Sequence, residues 1–139
     1  AGNEKMRAWF DVISIDRKSK EDESGIRQSE KEICQLISQE LSLGIPSEKI
    51  LLAGFSQGGA MVLHCGLRYP EKLAGILVLS SWLLMSQAVV SERNIVNQQT
   101  PILMLHGTDD PLIPIDWAIK SCDYLKESNY HFTMSSYPM

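Results

Sequence analysis

The strongest constraint on the fold lies in residues 49–60, at the centre of which stands Gly54-Phe55-Ser56-Gln57-Gly58. Residues 49–53 predict a short apolar strand, and residues 58–69 predict an apolar helix. A serine on a sharp turn from a strand into a helix, with glycines two positions before and after it, matches the G-x-S-x-G pattern. Such a turn exposes the serine Oγ and aims the next amide at the oxygen of a bound carbonyl group. The stretch therefore predicts a nucleophile at Ser56 and an oxyanion donor at the Gln57 N–H.

The two glycines of the pattern, Gly54 and Gly58, are expected to let the strand and the helix approach closely without Cβ clashes. A motif with three fixed residues in five also arises by chance, so a plain Gly-Ser turn remains the alternative. The predicted strand before the turn and the predicted helix after it favour the nucleophile.

Composition limits what else the chain can be. Its 139 residues suit a single domain, and a hydrophobic fraction of 44% is ordinary for a globular fold. The net charge is −4, and the lysines are interleaved with acidic residues rather than clustered (Lys18, Lys20, Lys31, Lys49). Without a basic patch, no nucleic-acid partner is expected.

The three cysteines, Cys34, Cys65 and Cys122, lie in predicted helices and lack C-x-x-C spacing. Such a sparse, odd set predicts reduced thiols and a cytoplasmic location rather than a disulfide framework. The chain contains no run of about 18 apolar residues, and no signal-peptide pattern opens it. No transmembrane segment is therefore expected.

Strands and helices are predicted to alternate along the chain. An aromatic, β-prone strand at residues 6–15 and a surface loop at 16–24 precede an amphipathic helix at 24–43, which ends at Gly44. After the turn at residues 54–58, called the elbow below, come strands at 73–79 and 100–105, a polar loop with some helix at 86–99, a helix at 114–126 and a strand at 130–137. This alternation predicts an α/β fold with a parallel sheet. The continuous apolar runs at 73–79 and 100–105 predict strands that are covered on both faces.

A candidate acid follows the strand at residues 100–105, in His106-Gly107-Thr108-Asp109-Asp110-Pro111. In an α/β-hydrolase the acid comes after a strand downstream of the serine and orients a histidine. The alternative is that Asp109 and Asp110 cap the helix that begins near Pro114. Spacing alone leaves the two interpretations open.

Five segments together resemble the acyl-protein thioesterase and lysophospholipase-like carboxylesterase family of α/β-hydrolases. They occur in family order over nearly the whole chain: Arg7-Ala8-Trp9-Phe10-Asp11, Gly44-Ile45-Pro46, Gly54-Phe55-Ser56-Gln57-Gly58-Gly59-Ala60, Leu79-Ser80-Ser81-Trp82-Leu83 and His106-Gly107-Thr108-Asp109-Asp110-Pro111. The set is much more specific than the elbow alone.

The resemblance implies an α/β-hydrolase fold, with a mostly parallel sheet flanked by helices. It implies that Ser56 is the nucleophile, that Asp110 rather than Asp109 is the triad acid, and that Trp82 and Leu83 line an acyl-chain channel. The implied activity is hydrolysis of carboxylic esters or thioesters through an acyl-enzyme, with no cofactor and no metal. Acylated proteins, lysophospholipids and small esters are the substrates it suggests.

Two family features have no counterpart in residues 1–139: a His-Gly-Leu-Gly-like loop with its N-terminal strands, and a catalytic histidine after the last strand. The resemblance therefore predicts a partial domain, incomplete at both ends, that is inactive as written. None of His64, His106 and His131 is expected to replace the absent histidine. Two possibilities stay open: a non-catalytic α/β-hydrolase-like binding module, and a homo-oligomer in which a second copy closes the exposed sheet edge.

Overall fold

The computed structural model describes residues 6–11 and 21–139, and within them helices and strands alternate. The helices are α1 (Glu23–Ser42), α2 (Gln57–Arg68), α3 (Val89–Glu92) and α4 (Ile115–Glu127). The strands are β1 (Leu51–Phe55), β2 (Gly75–Leu79), β3 (Ile102–Gly107) and β4 (Phe132–Tyr137). Short 3₁₀ turns lie at Ser47–Lys49, Ser86–Ala88 and Ile95–Asn97.

The four strands form one parallel sheet in the order β1-β2-β3-β4. Phe55 at the end of β1 pairs with Leu79 at the end of β2, and Leu79 pairs in turn with Leu105 of β3. All four strands therefore end at the same edge of the sheet, where ligands of α/β folds bind. The predicted α/β fold with a parallel sheet flanked by helices is confirmed.

Helix α1 is amphipathic, as its periodicity predicts. Its buried apolar residues, Ile26, Ile33 and Ile37, form one face, and the helix contacts α2. Asp22 caps its first turn by accepting the Gly25 N–H at 3.1 Å. Beyond its last turn Gly44 adopts a φ of 91°, a conformation that glycine takes without strain.

Helix α2 is the centre of the core. Its residues are buried from Gly59 to Leu67, because β1 and β2 contact one side of the helix and α1 contacts another. Each fully buried large apolar side chain, such as Met61, Leu63 or Leu67, contributes about 1.5–3 kcal/mol of transfer free energy. This packing fixes the direction of the helix that begins directly after Ser56.

The sheet is covered unequally on its two faces. Ile76 packs against Gly66 of α2, and Met104 contacts Cys122 of α4, so α2 and α4 lie on the face that these strand residues share. On the opposite face Leu103 is 40% exposed and Phe55 is 68% exposed. The prediction that the apolar runs are covered on both faces is therefore wrong for β3 within the described part of the chain.

The predicted strand at residues 6–15 is also not found where the structure describes it. Residues 6–11 are irregular, although Phe10 is buried, and residues 12–15 lie outside the described part, as do residues 16–20 of the predicted loop. The backbone of residues 9 and 10 bonds a glutamine side chain, discussed below, instead of a neighbouring strand. Their β propensity is overridden by this contact.

A buried asparagine holds the loop between α2 and β2. The Asn97 side chain accepts the Leu73 N–H at 2.9 Å and donates to the carbonyl oxygens of Tyr69, at 3.0 Å, and Glu71, at 2.9 Å. The segment around it, predicted as a loop with some helix, contains α3 and two 3₁₀ turns. Among the helices of the described residues, none has the length and apolar character that crossing a membrane requires.

Candidate active site

Ser56 stands between the end of β1 and the start of α2 with φ 55° and ψ −122°. This left-handed region favours glycine, and a residue with a side chain remains there only when its surroundings hold it. The Ser56 N–H donates to the Leu79 carbonyl oxygen at 2.9 Å, and its own carbonyl oxygen accepts the Ala60 N–H at 3.0 Å. The residue is half-buried, and it lies on a strained turn between the strand and the helix.

Two glycines allow the strand and the helix to meet, but they are Gly54 and Gly59 rather than Gly54 and Gly58. A Cβ on Gly54 would lie 2.2 Å from the Gly58 carbonyl oxygen, and one on Gly59 would lie 2.8 Å from the Ser81 Cβ. A Cβ on Gly58 would make only an ordinary contact, 3.7 Å from Trp9 Nε1. The steric role predicted for Gly58 is therefore wrong, and the close approach depends on the glycine that follows it.

Ser81, two residues after the end of β2, supports the elbow. Its hydroxyl donates to the Ser56 carbonyl oxygen at 2.6 Å, and the residue is only 1% exposed. Sequence reasoning missed this contact, because nothing in the local pattern around residue 81 indicates which carbonyl oxygen its hydroxyl meets.

Gln57 is the first residue of α2, so its N–H has no acceptor within the helix and lies at the positive end of the helix dipole. Its side chain points to the segment before α1: Oε1 accepts the Trp9 N–H and Nε2 donates to the Phe10 carbonyl oxygen, both at 3.2 Å. Ser29 of α1 also donates to the Trp9 carbonyl oxygen. The sequence prediction considered only the backbone amide of Gln57 and missed this role of its side chain.

Asp110 follows the carboxyl end of β3. One carboxylate oxygen, Oδ1, accepts the N–H groups of Leu112 and Ile113, each at 2.9 Å. The other, Oδ2, lies 3.8 Å from His106 Nε2, and the side chain is 17% exposed. Asp109, in contrast, is exposed.

The alternative that Asp109 and Asp110 cap helix α4 is wrong, although Asp110 does cap a turn. Helix α4 has Pro114 as its N-cap and no side-chain hydrogen bond there, so neither aspartate caps it. Asp110 instead caps the turn that precedes the helix through Oδ1. Within residues 6–11 and 21–139 its Oδ2 has no backbone donor of this kind, so it carries the remaining acceptor capacity of the carboxylate.

The loop that bears Asp110 is tied to the chain after β4. The Thr108 N–H donates to the Tyr137 carbonyl oxygen at 2.8 Å, and the Asp109 N–H donates to that of Met139 at 2.9 Å. Gly107 lies so close to Met139 that a Cβ there would be 2.5 Å from the Met139 carbonyl oxygen. The backbone at residue 139 therefore lies beside the aspartate loop.

Trp82 and Leu83 follow β2, between the positions of Ser56 and Asp110 in the sheet order, and are 8% and 2% exposed. The Trp82 ring meets Phe10 edge-on at a centroid distance of 6.1 Å and Trp117 at 5.3 Å. The Leu83 N–H donates to Ser121 Oγ at 2.8 Å. These two residues belong to a packed aromatic and aliphatic layer at the carboxyl edge of the sheet.

Two of the three histidines are held in other contacts, and the third lies at the opposite edge of the sheet. His106 is buried, and its Nε2 hydrogen donates to the Ile113 carbonyl oxygen at 2.7 Å. His64 is fully buried in α2, where it bonds Glu30, and burial followed by the positive charge of Arg68 lowers its pKa. His131 is exposed and precedes β4, at the edge of the sheet opposite to Ser56.

The carboxyl edge of the sheet thus brings together Ser56 and Gln57 after β1, Trp82 and Leu83 after β2, and Asp110 after β3. Within residues 6–11 and 21–139, no group of three or more His, Cys, Asp or Glu side chains is arranged to hold a metal ion. Chemically, this edge offers a hydroxyl, a helix N-terminal amide and a partly free carboxylate.

The sequence profile of a family described as Phospholipase/Carboxylesterase matches residues 1–139. The chain is 43% identical over 141 residues to acyl-protein thioesterase 1 of Gibberella zeae, and the match covers 96% of this chain and 60% of that protein. It is 36% identical over 135 residues to carboxylesterase SOBER1 of Arabidopsis thaliana, covering 96% and 59%.

Comparison with solved structures also finds this carboxylesterase. The crystal structure of Arabidopsis thaliana SOBER1 matches with a TM-score of 0.89 at 34% identity, covering 95% of this chain and 64% of that one. The chain thus spans less than two thirds of the length of these relatives.

Proposed function

Because the chain belongs to the phospholipase/carboxylesterase family of α/β-hydrolases, we propose that it carries the nucleophile and the acid of a serine hydrolase. The enzyme cleaves carboxylic esters or thioesters of acyl chains. The observation that carries the proposal is the strained backbone of Ser56, at the carboxyl end of β1 and directly before the N-terminus of α2. Strain of this kind costs on the order of 1–3 kcal/mol and is concentrated at functional sites.

In the proposed reaction, Ser56 Oγ attacks the carbonyl carbon of the substrate and its proton passes to a general base. The carbonyl oxygen becomes an oxyanion, which the Gln57 N–H stabilises together with the positive end of the α2 dipole. Collapse of the tetrahedral intermediate releases the alcohol or thiol, protonated by the same base, and leaves an acyl ester on Ser56. Water activated by that base then hydrolyses the ester and restores the serine.

Asp110 is the proposed triad acid. Its Oδ1 is held by two backbone N–H groups, so the carboxylate has a fixed direction, while Oδ2 retains the capacity to accept the N–H of a histidine. The proposed base is a histidine outside residues 1–139. Such a histidine is needed because His64 and His106 are buried in other contacts and His131 lies at the opposite edge of the sheet.

For the substrate, we propose an acyl chain that packs against the layer containing Trp82 and Leu83. The relatives in the comparison are named as acyl-protein thioesterases and as a carboxylesterase, which supports an acyl thioester or ester. An acylated protein or a lysophospholipid both supply such a group. Turnover of a panel of S-acyl peptides, lysophospholipids and p-nitrophenyl esters of increasing chain length distinguishes them.

A fluorophosphonate probe tests the proposed nucleophile directly. The full-length protein should be labelled rapidly, and mass spectrometry should locate the adduct on Ser56. Ser24, an exposed serine of α1, is the internal control and should stay unmodified. A labelled serine other than Ser56 would assign the nucleophile elsewhere.

The alternative is a non-catalytic α/β-hydrolase-like module that binds an acyl ligand or a partner. The observation that favours it is the placement of the three histidines, since two are buried in other contacts and one lies at the opposite edge of the sheet. A full-length protein that binds acyl compounds but neither reacts with the probe nor hydrolyses any substrate of the panel would establish the module.

A further inference from the structure

The peptide unit that joins Ser56 to Gln57 has two functional ends. Its carbonyl group belongs to Ser56, and its N–H is the proposed oxyanion donor of Gln57. Because the peptide bond is planar and trans, fixing the direction of the carbonyl also fixes the direction of the N–H. Any group that binds the Ser56 carbonyl oxygen therefore influences the geometry of the oxyanion site.

Among the residues that the structure describes, two groups bind that carbonyl oxygen. One is the Ala60 N–H at 3.0 Å, which is the first backbone bond of α2. The other is the Ser81 hydroxyl at 2.6 Å, which is a contact between elements. The Ala60 hydrogen bond lies within α2 and moves with the helix. The Ser81 hydrogen bond instead connects the peptide to the segment that follows β2, and so fixes its direction relative to the sheet.

The position of Ser81 is also set by contacts outside the Ser56 turn. The preceding residue, Ser80, has a φ of 51°, and its N–H donates to the Leu105 carbonyl oxygen of β3 at 2.9 Å. Ser81 is 1% exposed and packs against Gly59, where no Cβ could be accommodated. Its hydroxyl is therefore confined between β2 and the first turn of α2, with little freedom to point elsewhere.

We propose that Ser81 is a positioning residue for the oxyanion donor. By donating to the Ser56 carbonyl oxygen, it holds the peptide plane so that the Gln57 N–H points to the developing oxyanion. It also polarises the peptide, because an amide whose carbonyl oxygen accepts a hydrogen bond becomes a stronger N–H donor. Ser81 touches neither the substrate nor the reacting atoms. The inference rests on the proposed role of Ser56 as nucleophile.

The test is Ser81→Ala in the full-length protein. A lost oxyanion donor lowers kcat by about 10²–10³-fold, and misdirecting the donor should lower kcat by about tenfold to a hundredfold while KM changes little. Binding of an acyl trifluoromethyl ketone, which forms a tetrahedral adduct on the serine, should weaken by the same factor as kcat, because both depend on the oxyanion donor.

Thr100→Val is the matched control. Thr100 is also fully buried, and its hydroxyl donates to Asn97 Oδ1 at 2.7 Å, just before β3 and away from the elbow. This variant should lower the melting temperature while kcat and the binding of the ketone stay within about twofold of the unmodified protein. A similar loss of kcat in both variants would mean that general destabilisation, and not the oxyanion donor, explains the effect, and it would overturn the proposal.

Two further variants distinguish a failure of the positioning role of Ser81 from a failure of the proposed function. Ser81→Cys keeps a weaker donor at the same place, so its kcat should fall between those of the unmodified protein and of Ser81→Ala. A kcat of Ser81→Cys equal to that of the unmodified protein would overturn the proposal even if Ser81→Ala did not fold. Ser56→Ala must be inactive. If it is inactive while Ser81→Ala retains full kcat and ketone affinity, only the positioning role fails; if it is active, the proposed function fails as well.

Discussion

The side-chain oxygen of Gln57 accepts the N–H of Trp9 at 3.2 Å, so the residue after the proposed nucleophile also anchors a segment that lies before α1. Its amide nitrogen donates to the Phe10 carbonyl oxygen, and these two hydrogen bonds are called the Gln57 clamp below. Phe10 in turn packs edge-on against Trp82. The elbow and the aromatic layer at the carboxyl edge of the sheet are thereby joined through one side chain.

Gln57→Met should release this clamp without removing the backbone amide. The two lost hydrogen bonds predict a decrease of about 1–3 kcal/mol in the free energy of unfolding. Urea unfolding of the full-length protein measures it, with the exposed Gln28→Met of α1 as the control, for which a change within about 0.5 kcal/mol is expected. Equal stability of the two variants would show that the clamp contributes nothing.

Ser56→Ala should abolish turnover and leave the fold nearly intact, because the change removes only a half-buried hydroxyl. Loss of a triad nucleophile costs on the order of a million-fold in kcat. The measurement is steady-state hydrolysis of the best ester or thioester of the panel. Activity within about tenfold of the unmodified protein would remove Ser56 from the mechanism.

Asp110→Asn and Asp109→Asn should differ strongly. An asparagine at position 110 retains an oxygen for the N–H groups of Leu112 and Ile113, so the loop should keep its shape while the negative charge is lost. By analogy with other triads, kcat should fall by about 10⁴-fold. Asp109 is exposed, and its replacement should have a far smaller effect. The reverse order would assign the acid to Asp109.

The free energy of unfolding should decrease on acidification. Hydrogen bonding to Arg27, followed by other interactions with Arg27 and Arg68, lowers the pKa of Glu92 from 4.5 to about 2. Burial, followed by the charge of Arg68, lowers the pKa of His64 from 6.5. Both groups bind protons more readily in the unfolded chain, so the stability that they contribute is complete above pH 6.5, decreases below it as His64 titrates, and decreases further from pH 4.5 towards 2.

Urea-unfolding midpoints between pH 7 and pH 3 measure this dependence. Glu92→Gln breaks the ion pairs with Arg27 and Arg68, so this variant should be less stable at pH 7 and show a smaller decrease below pH 4.5. An unchanged decrease in Glu92→Gln would mean that other carboxylates dominate the acid response.

Asn97→Ala should be among the more destabilising single changes outside the site. It leaves the buried Leu73 N–H without its acceptor and removes the donors to Tyr69 and Glu71, and an unsatisfied buried group costs about 1–3 kcal/mol. Asn94→Ala is the control, because Asn94 only caps a 3₁₀ turn through the Val96 N–H. Thermal unfolding should show the larger loss for Asn97→Ala, and the opposite order would contradict the role of Asn97.

Local patterns were sufficient to predict most of the fold. The apolar face of α1 and the all-round apolar character of α2 follow from residue spacing, and the elbow follows from a motif flanked by a strand and a helix. Errors arose where a distant contact decides the outcome. Residues 9 and 10 are β-prone, yet their backbone bonds the side chain of Gln57, and Leu103 lies in an apolar strand but faces the less covered side of the sheet.

In the candidate site, too, residues in local motifs could be predicted from the sequence, whereas contacts between distant residues could not. Ser56 and Asp110 were identified from sequence because their motifs are local, and their catalytic roles stay predictions. The Ser81 contact with the Ser56 carbonyl oxygen joins residues 25 positions apart, so no local pattern reports it. The close approach at Gly59 likewise depends on the packing of β2 against α2, which spacing alone does not predict.

The order of the four described strands in the sheet is also their order in the chain, which has a consequence for synthesis on the ribosome. Each new strand can add to the edge of those already made, in the direction in which the chain emerges. The turn at Ser56 is an exception to this stepwise growth. The Ser56 N–H donates to the Leu79 carbonyl oxygen, and the Ser56 carbonyl oxygen accepts the Ser81 hydroxyl. Because both partners lie at or just after β2, these two hydrogen bonds of the strained serine form in the nascent chain only once β2 has docked.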